Sequence, residues 1–166
     1  MRVYILNGGM VGFDGFAASF GLLPLAHRLA AIKEVKALAV YNWDLYRKVV
    51  LDIEGHDDPA CLIGFSGGGW RAITASRDLA PKETIKLMVL IDPSPARNLL
   101  PVKANVEKTV CFTSQNPLFF GYGGGRATGH NVHTYFTRHA HWTIKFSPWM
   151  HGVIVDEVKK AASAHN

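Results

Sequence analysis

Ala60-Cys61-Leu62-Ile63-Gly64-Phe65-Ser66-Gly67-Gly68-Gly69-Trp70-Arg71-Ala72-Ile73-Thr74 is the stretch whose reading decides the fold. Its first four residues form a short apolar run of the kind that makes a buried parallel strand. From Trp70 to Leu79 the pattern reads as a helix, with Pro81 just past its end. Between the two lies Gly64-Phe65-Ser66-Gly67-Gly68, a G-x-S-x-G. A sharp strand-to-helix turn lifts the serine side chain above the sheet, where its hydroxyl can meet a base without obstruction. Glycine is needed two residues before and after, because the turn is strained and neighbouring backbone passes close by. Without partners for Ser66, the same pentapeptide is only a Gly/Ser turn joining a strand to a helix.

The rest of the chain repeats that alternation. Strand-like runs fall at 2–6, 35–41, 60–65, 85–91, 108–113 and 132–137, with helical stretches at 16–31, 45–53, 70–79 and about 148–162. Before the last helix, Ser147 is placed to cap and Pro148 suits the first turn. Met88-Val89-Leu90-Ile91 has no polar alternation, as a central strand requires. These features predict an α/β fold, a three-layer αβα sandwich around a mostly parallel sheet of about six strands. At 166 residues, the expectation is a single domain over 1–166 with a sizeable core.

Composition narrows the function classes. The apolar fraction is 48% and the charged fraction 19%, both ordinary for a globular enzyme. No apolar stretch reaches the ~20 residues of a membrane span, and Met1-Arg2 runs straight into Val3-Tyr4-Ile5-Leu6 without the pattern of a signal peptide. A cytoplasmic location is therefore the expectation. The formal net charge is +5, but Lys and Arg are spread out and not interleaved with aromatics, so no nucleic-acid groove is expected. Cys61 and Cys111 fall in apolar runs and read as buried, reduced thiols.

A serine nucleophile needs a base, and the base needs an orienting carboxylate. In open parallel sheets such groups lie beyond the carboxyl ends of strands. Asp92 directly follows Leu90-Ile91 and precedes Pro93, which makes it the acid candidate; the next strand ends at Thr113-Ser114-Gln115-Asn116 without a carboxylate. Candidate bases are His130, His133, His139, His141 and His151. A strand ending at 137 favours His141, with His151 second and His139 behind it. Two backbone N–H groups must hold a developing oxyanion. Gly67 is expected to supply one, and Met10 the other, with Gly9 as its alternative. Gly9, Phe65, Phe119 and Phe120 are expected against the substrate. The glycine-rich segment 117–131 (PLFFGYGGGRATGHN) reads either as a loose surface excursion or as a mobile flap over an acyl pocket.

These pieces together resemble the small lipase-like and thioesterase-like α/β-hydrolases of bacteria and phages. The resemblance runs through Leu6-Asn7-Gly8-Gly9, Phe16-Ala17-Ala18-Ser19-Phe20-Gly21, Leu25-Ala26, the 64–68 turn, Ile91-Asp92-Pro93, Leu100-Pro101-Val102-Lys103-Ala104-Asn105-Val106 and His141-Trp142-Thr143-Ile144. Asp92 is also similar to the acid of pancreatic-type lipases. The resemblance implies a minimal α/β-hydrolase fold that begins at what would be the third strand and has no cap domain. It also implies a Ser66-His141-Asp92 triad, a small-molecule acyl substrate, hydrolysis of an ester or thioester, and no cofactor. Phe65 departs from the family, which usually has His before the serine, and implies a more apolar pocket floor. Two rivals remain: a hydrolase fold kept for binding, with Ser66 more than about 5 Å from any imidazole and so beyond hydrogen-bond reach, and a metal site on His130, His133, His139 and His141.

Overall fold

In a computed structural model, residues 1–8, 21–94, 99–116 and 124–164 are described. The described elements run β1 (Arg2–Asn7), α1 (Leu23–Ala30), β2 (Ala37–Asn42), α2 (Tyr46–Glu54), β3 (Ala60–Phe65), α3 (Gly67–Asp78), β4 (Ile85–Ile91), β5 (Thr109–Asn116), β6 (Val132–Ala140), α4 (His141–Ile144) and α5 (Pro148–Ser163), so strands and helices alternate as far as β4. A short 3-10 turn, Trp43–Leu45, joins β2 to α2. The sheet order is β2-β1-β3-β4-β5-β6 and every pairing is parallel.

Period-two alternation sorts the strand side chains onto two faces. Val3, Ile5, Ile63, Val89 and Phe112 face α1 and α5, where Leu25, Leu29, Ile154 and Val158 close the layer. Tyr4, Leu6, Leu62, Met88 and Leu90 face α2 and α3, meeting Val49, Ile53, Ala72 and Ile73. β3 and β4 are buried along almost their whole length, as their unbroken apolar sequences require. Each fully buried aliphatic side chain contributes roughly 1.5–3 kcal/mol. β2, at the edge, is only half covered. Cys61 and Cys111 are free and face opposite sides of the sheet, and burial pushes both thiols up. Among the described residues, no helix is long and apolar enough to cross a membrane.

Strand register brings three strand ends level. Leu6 pairs with Gly64 and Gly64 with Leu90, so β1, β3 and β4 are aligned at their carboxyl ends. Two residues further along these three strands stand Gly8, Ser66 and Asp92, in one row across the rim. β6 ends later than the sequence predicts. A register shift at Ser114/Asn116 carries the pairing on to Asn116↔Ala140. His141 directly follows the strand end and stands at the same rim. The helix predicted over 16–31 is described from Leu23 to Ala30.

Candidate active site

Ser66 is the N-cap of α3 with φ 53° and ψ −123°, a backbone region that non-glycine residues rarely occupy. Strain of this kind persists only where the surroundings over-determine it. Here the Ser66 N–H donates to the Ile91 carbonyl at 3.0 Å, and its own carbonyl accepts from the N–H groups of Gly69 (2.9 Å) and Ser94 (3.0 Å). The flanking glycines are there for room. A Cβ on Gly64 would stand 2.4 Å from the Gly68 carbonyl oxygen, and one on Gly68 would stand 2.0 Å from that of Leu6.

Ser66, His141 and Asp92 come together in one chain of hydrogen bonds. His141 Nε2 lies 3.0 Å from Ser66 Oγ, and His141 Nδ1 lies 2.7 Å from Asp92 Oδ2. The other carboxylate oxygen, Asp92 Oδ1, accepts the backbone N–H of Ser114 at 2.8 Å and of Gly124 at 2.7 Å. Asp92 is 0% exposed and His141 1%, while Ser66 and Gly67 remain partly open. An ionised carboxylate only accepts, so Asp92 keeps the proton on Nδ1 and leaves Nε2 to accept from the Ser66 hydroxyl. The expectation attached to a binding-only protein, a hydroxyl beyond reach of any imidazole, is not met.

The other candidate histidines have different surroundings. His151 is buried on α5 and its Nε2–H donates to the Lys145 carbonyl at 2.8 Å. Burial holds its pKa below the ordinary histidine value, with Arg28 adding to that effect and the Lys145 carbonyl opposing it. His139 is exposed on β6. His133 packs edge-on against Tyr135. Among the described residues, no three His, Cys, Asp or Glu side chains gather as ligands for a metal ion.

Phe65 requires a correction. Expected as a pocket floor, it is 1% exposed and belongs to the core facing α1 and α5. Its ring stacks on the His141 imidazole, 5.1 Å between centroids and 22° between planes. It therefore packs on the imidazole inside the core instead of offering an exposed face to a ligand. Beside it, the Lys145 ammonium lies 5.4 Å from the Phe65 ring centroid, and burial lowers the pKa of that lysine. Trp142 meets the imidazole edge-on, 5.1 Å between centroids.

Two glycine segments contribute contacts whose partners the sequence did not specify. Gly8 lies directly against the serine: a Cβ there would be 2.5 Å from Ser66 Cβ and 3.2 Å from Ser66 Oγ. Of the glycine-rich segment, residues 117–123 lie outside the described residues, and the described 124–131 pack beside Asp92. Gly124 holds Asp92, the Gly125 carbonyl accepts from Thr113 Oγ1 at 2.9 Å, and Gly129 bridges to Val102. A Cβ on Gly125 would stand 2.1 Å from the Pro93 carbonyl oxygen, which explains a glycine here. The glycine run was the available signal, but backbone donors carry no residue signature. Gly67 opens α3, and a Cβ there would meet nothing within 4 Å. Gly9, Met10, Phe119 and Phe120 lie outside the described residues.

No family model matches the chain, and no curated protein matches it. Solved structures do. Human thioesterase 2 superposes with a TM-score of 0.56 at 11% identity, over 98% of this chain and 96% of that one. A structure from the metagenome-derived lipolytic enzymes LipS and LipT gives a TM-score of 0.64 at 11% identity, covering 99% and 94%. The peroxisomal alpha-beta-hydrolase Lpx1 of Saccharomyces cerevisiae gives 0.55 at 11%, covering 96% and 75%. The chain has an α/β-hydrolase fold. At these identities the likeness speaks for the fold, and the chemistry has to be argued from the site itself. Within this fold, the row of Gly8, Ser66 and Asp92 and the adjoining His141 occupy the carboxyl rim of the sheet, where open α/β folds bind their ligands.

Proposed function

We propose that this α/β-hydrolase-fold protein is a serine hydrolase that cleaves a carboxylic ester or thioester. The observation that carries the reading is the hydrogen-bond chain from Ser66 through His141 to Asp92, at 3.0 and 2.7 Å. The similarity to a thioesterase and to lipolytic enzymes supports the substrate class.

In this mechanism Ser66 Oγ attacks the acyl carbonyl carbon while its proton passes to His141 Nε2. The imidazolium so formed is stabilised by Asp92, which stays ionised. The carbonyl oxygen becomes an oxyanion and accepts from the Gly67 N–H, at the positive end of α3. Met10, or Gly9, is proposed as the second donor, since both follow Gly8. The C–O or C–S bond then breaks and His141 passes its proton to the leaving group. Water repeats the sequence on the acyl-serine and releases the carboxylic acid. Removing one oxyanion donor from such a site typically costs about 10²–10³ in rate. Phe119 and Phe120 are proposed to contact the acyl group.

The test is labelling with a fluorophosphonate probe, together with turnover of p-nitrophenyl esters and acyl thioesters. The wild type is expected to label and turn over, and Ser66→Ala to do neither. A wild-type protein as inert as Ser66→Ala to both would overturn the proposal.

A further inference from the structure

Arg71 lies on α3 five residues beyond Ser66, held in a box of aromatic rings. Its guanidinium carbon is 4.2 Å from the ring centroid of Trp70, 4.7 Å from that of Tyr46 and 5.1 Å from that of Trp43. Trp43 opens the turn at the end of β2, Tyr46 opens α2 and Trp70 stands in α3, so three separate elements converge on one cation. Among the described residues, no carboxylate forms an ion pair with Arg71, and its Nε is buried without a hydrogen-bond partner. The residue as a whole is only half-buried, as are Trp43 and Trp70. The box is therefore open to solvent on one side.

Its position ties it to the site. Trp43 follows Asn42, which pairs with Asn7, and the next residue, Gly8, lies against Ser66. Five helical residues separate the Arg71 backbone from that of Ser66 by roughly 8 Å, and two strand spacings separate the Trp43 backbone from it by roughly 10 Å, so an anion on the guanidinium would lie on the order of 10 Å from Ser66. Arginine donors form a planar fork that fits carboxylate or phosphate oxygens in pairs. Rings around the guanidinium hold its orientation and strip its water, so an incoming anion meets a preorganised partner.

We propose that Arg71 is an anion subsite of the substrate site, and that the substrate carries a carboxylate or phosphate about 10 Å from the scissile carbonyl. This inference rests on Ser66 being the nucleophile. A carboxylate would lie at the far end of the acyl chain, as in a dicarboxylic half-ester. A phosphate would lie on the leaving group, as in a phosphorylated thiol.

The experiment compares kcat/KM for matched charged and neutral substrates. One pair is mono-p-nitrophenyl adipate against p-nitrophenyl hexanoate. The other is acetyl-phosphopantetheine against acetyl-pantetheine. The wild type is expected to favour the charged member of one pair by about 10- to 100-fold, the range of a charge-assisted hydrogen-bond pair. The pair that shows it identifies the source of the anion. In Arg71→Gln that ratio falls to near one, chiefly through KM, and Arg71→Lys restores part of it. Arg47→Gln removes a neighbouring charge that is not over the rings, its Nε donating to the Tyr46 phenol oxygen at 3.5 Å, and keeps the ratio.

A wild type without preference in either pair would overturn the inference. So would an Arg71→Gln that lowers charged and neutral substrates equally, since that is the result of a packing role alone. Two further measurements separate this from failure of the hydrolase reading. Fluorophosphonate labelling reports Ser66 without any anionic group. Quenching of Trp43 and Trp70 fluorescence by adipate and by inorganic phosphate, measured in Ser66→Ala, reports the box without turnover. Quenching that vanishes in Ser66→Ala/Arg71→Gln supports the subsite, and absence of quenching at millimolar anion counts against it.

Discussion

Asp92→Asn separates the chemistry of the site from its stability. Asp92 sits at φ 43°, in the left-handed region where Asp and Asn are the best tolerated side chains after glycine. Its two oxygens have different tasks. Oδ1 accepts two backbone N–H groups, from Ser114 and Gly124, and Oδ2 accepts from His141 Nδ1. Asparagine keeps the backbone conformation and, with its carbonyl oxygen in the Oδ1 position, still accepts from both backbone donors. It places an NH₂ donor where Oδ2 stood. Nδ1 must then accept, the proton moves to Nε2, and the imidazole can no longer take the Ser66 proton. A wrong tautomer of this kind costs about 10⁴ in kcat, or about 5.5 kcal/mol of transition-state stabilisation. Stability should change by no more than about 1–2 kcal/mol. Asp92→Ala is the comparison. It removes the acceptor of the buried Ser114 N–H, at about 1–3 kcal/mol, and of the half-buried Gly124 N–H, at less, and puts alanine at positive φ for about another 1 kcal/mol. The measurements are p-nitrophenyl ester turnover and urea unfolding on both variants. A stable Asp92→Asn protein that keeps kcat within tenfold of the wild type would refute the tautomer argument. Equal stability of the Asn and Ala variants would refute the account of Oδ1.

Gly68→Ala would drive a methyl into the Leu6 carbonyl, so it should fail to fold or lose most of its stability, whereas Gly67→Ala, facing open space, should fold with a Tm within a few degrees of wild type; thermal melts distinguish them. Phe65→Ala removes the fully buried ring stacked on His141 and should cost about 3–5 kcal/mol in urea unfolding. His151 is held below its ordinary pKa chiefly by burial, so the unfolded chain takes up its proton first as pH falls. Its neutral, buried state therefore supports the fold fully above about pH 6.5, and that support is lost as pH drops from there through the lower folded-state value. His151→Gln, which can still donate to the Lys145 carbonyl, should flatten the pH dependence of Tm in that window, and an unchanged profile would show that another group is responsible.

Local pattern determined much of this protein. The buried runs of β3 and β4, the helix after Ser66 and the cap at Ser147, whose Oγ accepts the Met150 N–H at 3.4 Å, follow from period, turn residues and capping within a few neighbouring positions. Ser66 and Asp92 were legible as candidates because each stands at a strand end, and strand ends can be read along the chain. Position after the last strand favoured His141 among five candidate histidines, and tertiary structure brought its Nε2 to 3.0 Å from Ser66 Oγ. The register shift at Ser114/Asn116, which prolongs β6 to Ala140, is a property of two paired strands that neither strand's sequence displays. The same holds for the surroundings of the site. Phe65 packs on the imidazole because of which face of β3 it occupies against α1 and α5. Gly124 holds Asp92 because its backbone N–H, not a side chain, makes the contact. Spacing along a chain encodes local conformation well, but contacts between residues 66, 92, 124 and 141 exist only once the sheet has set its order and register.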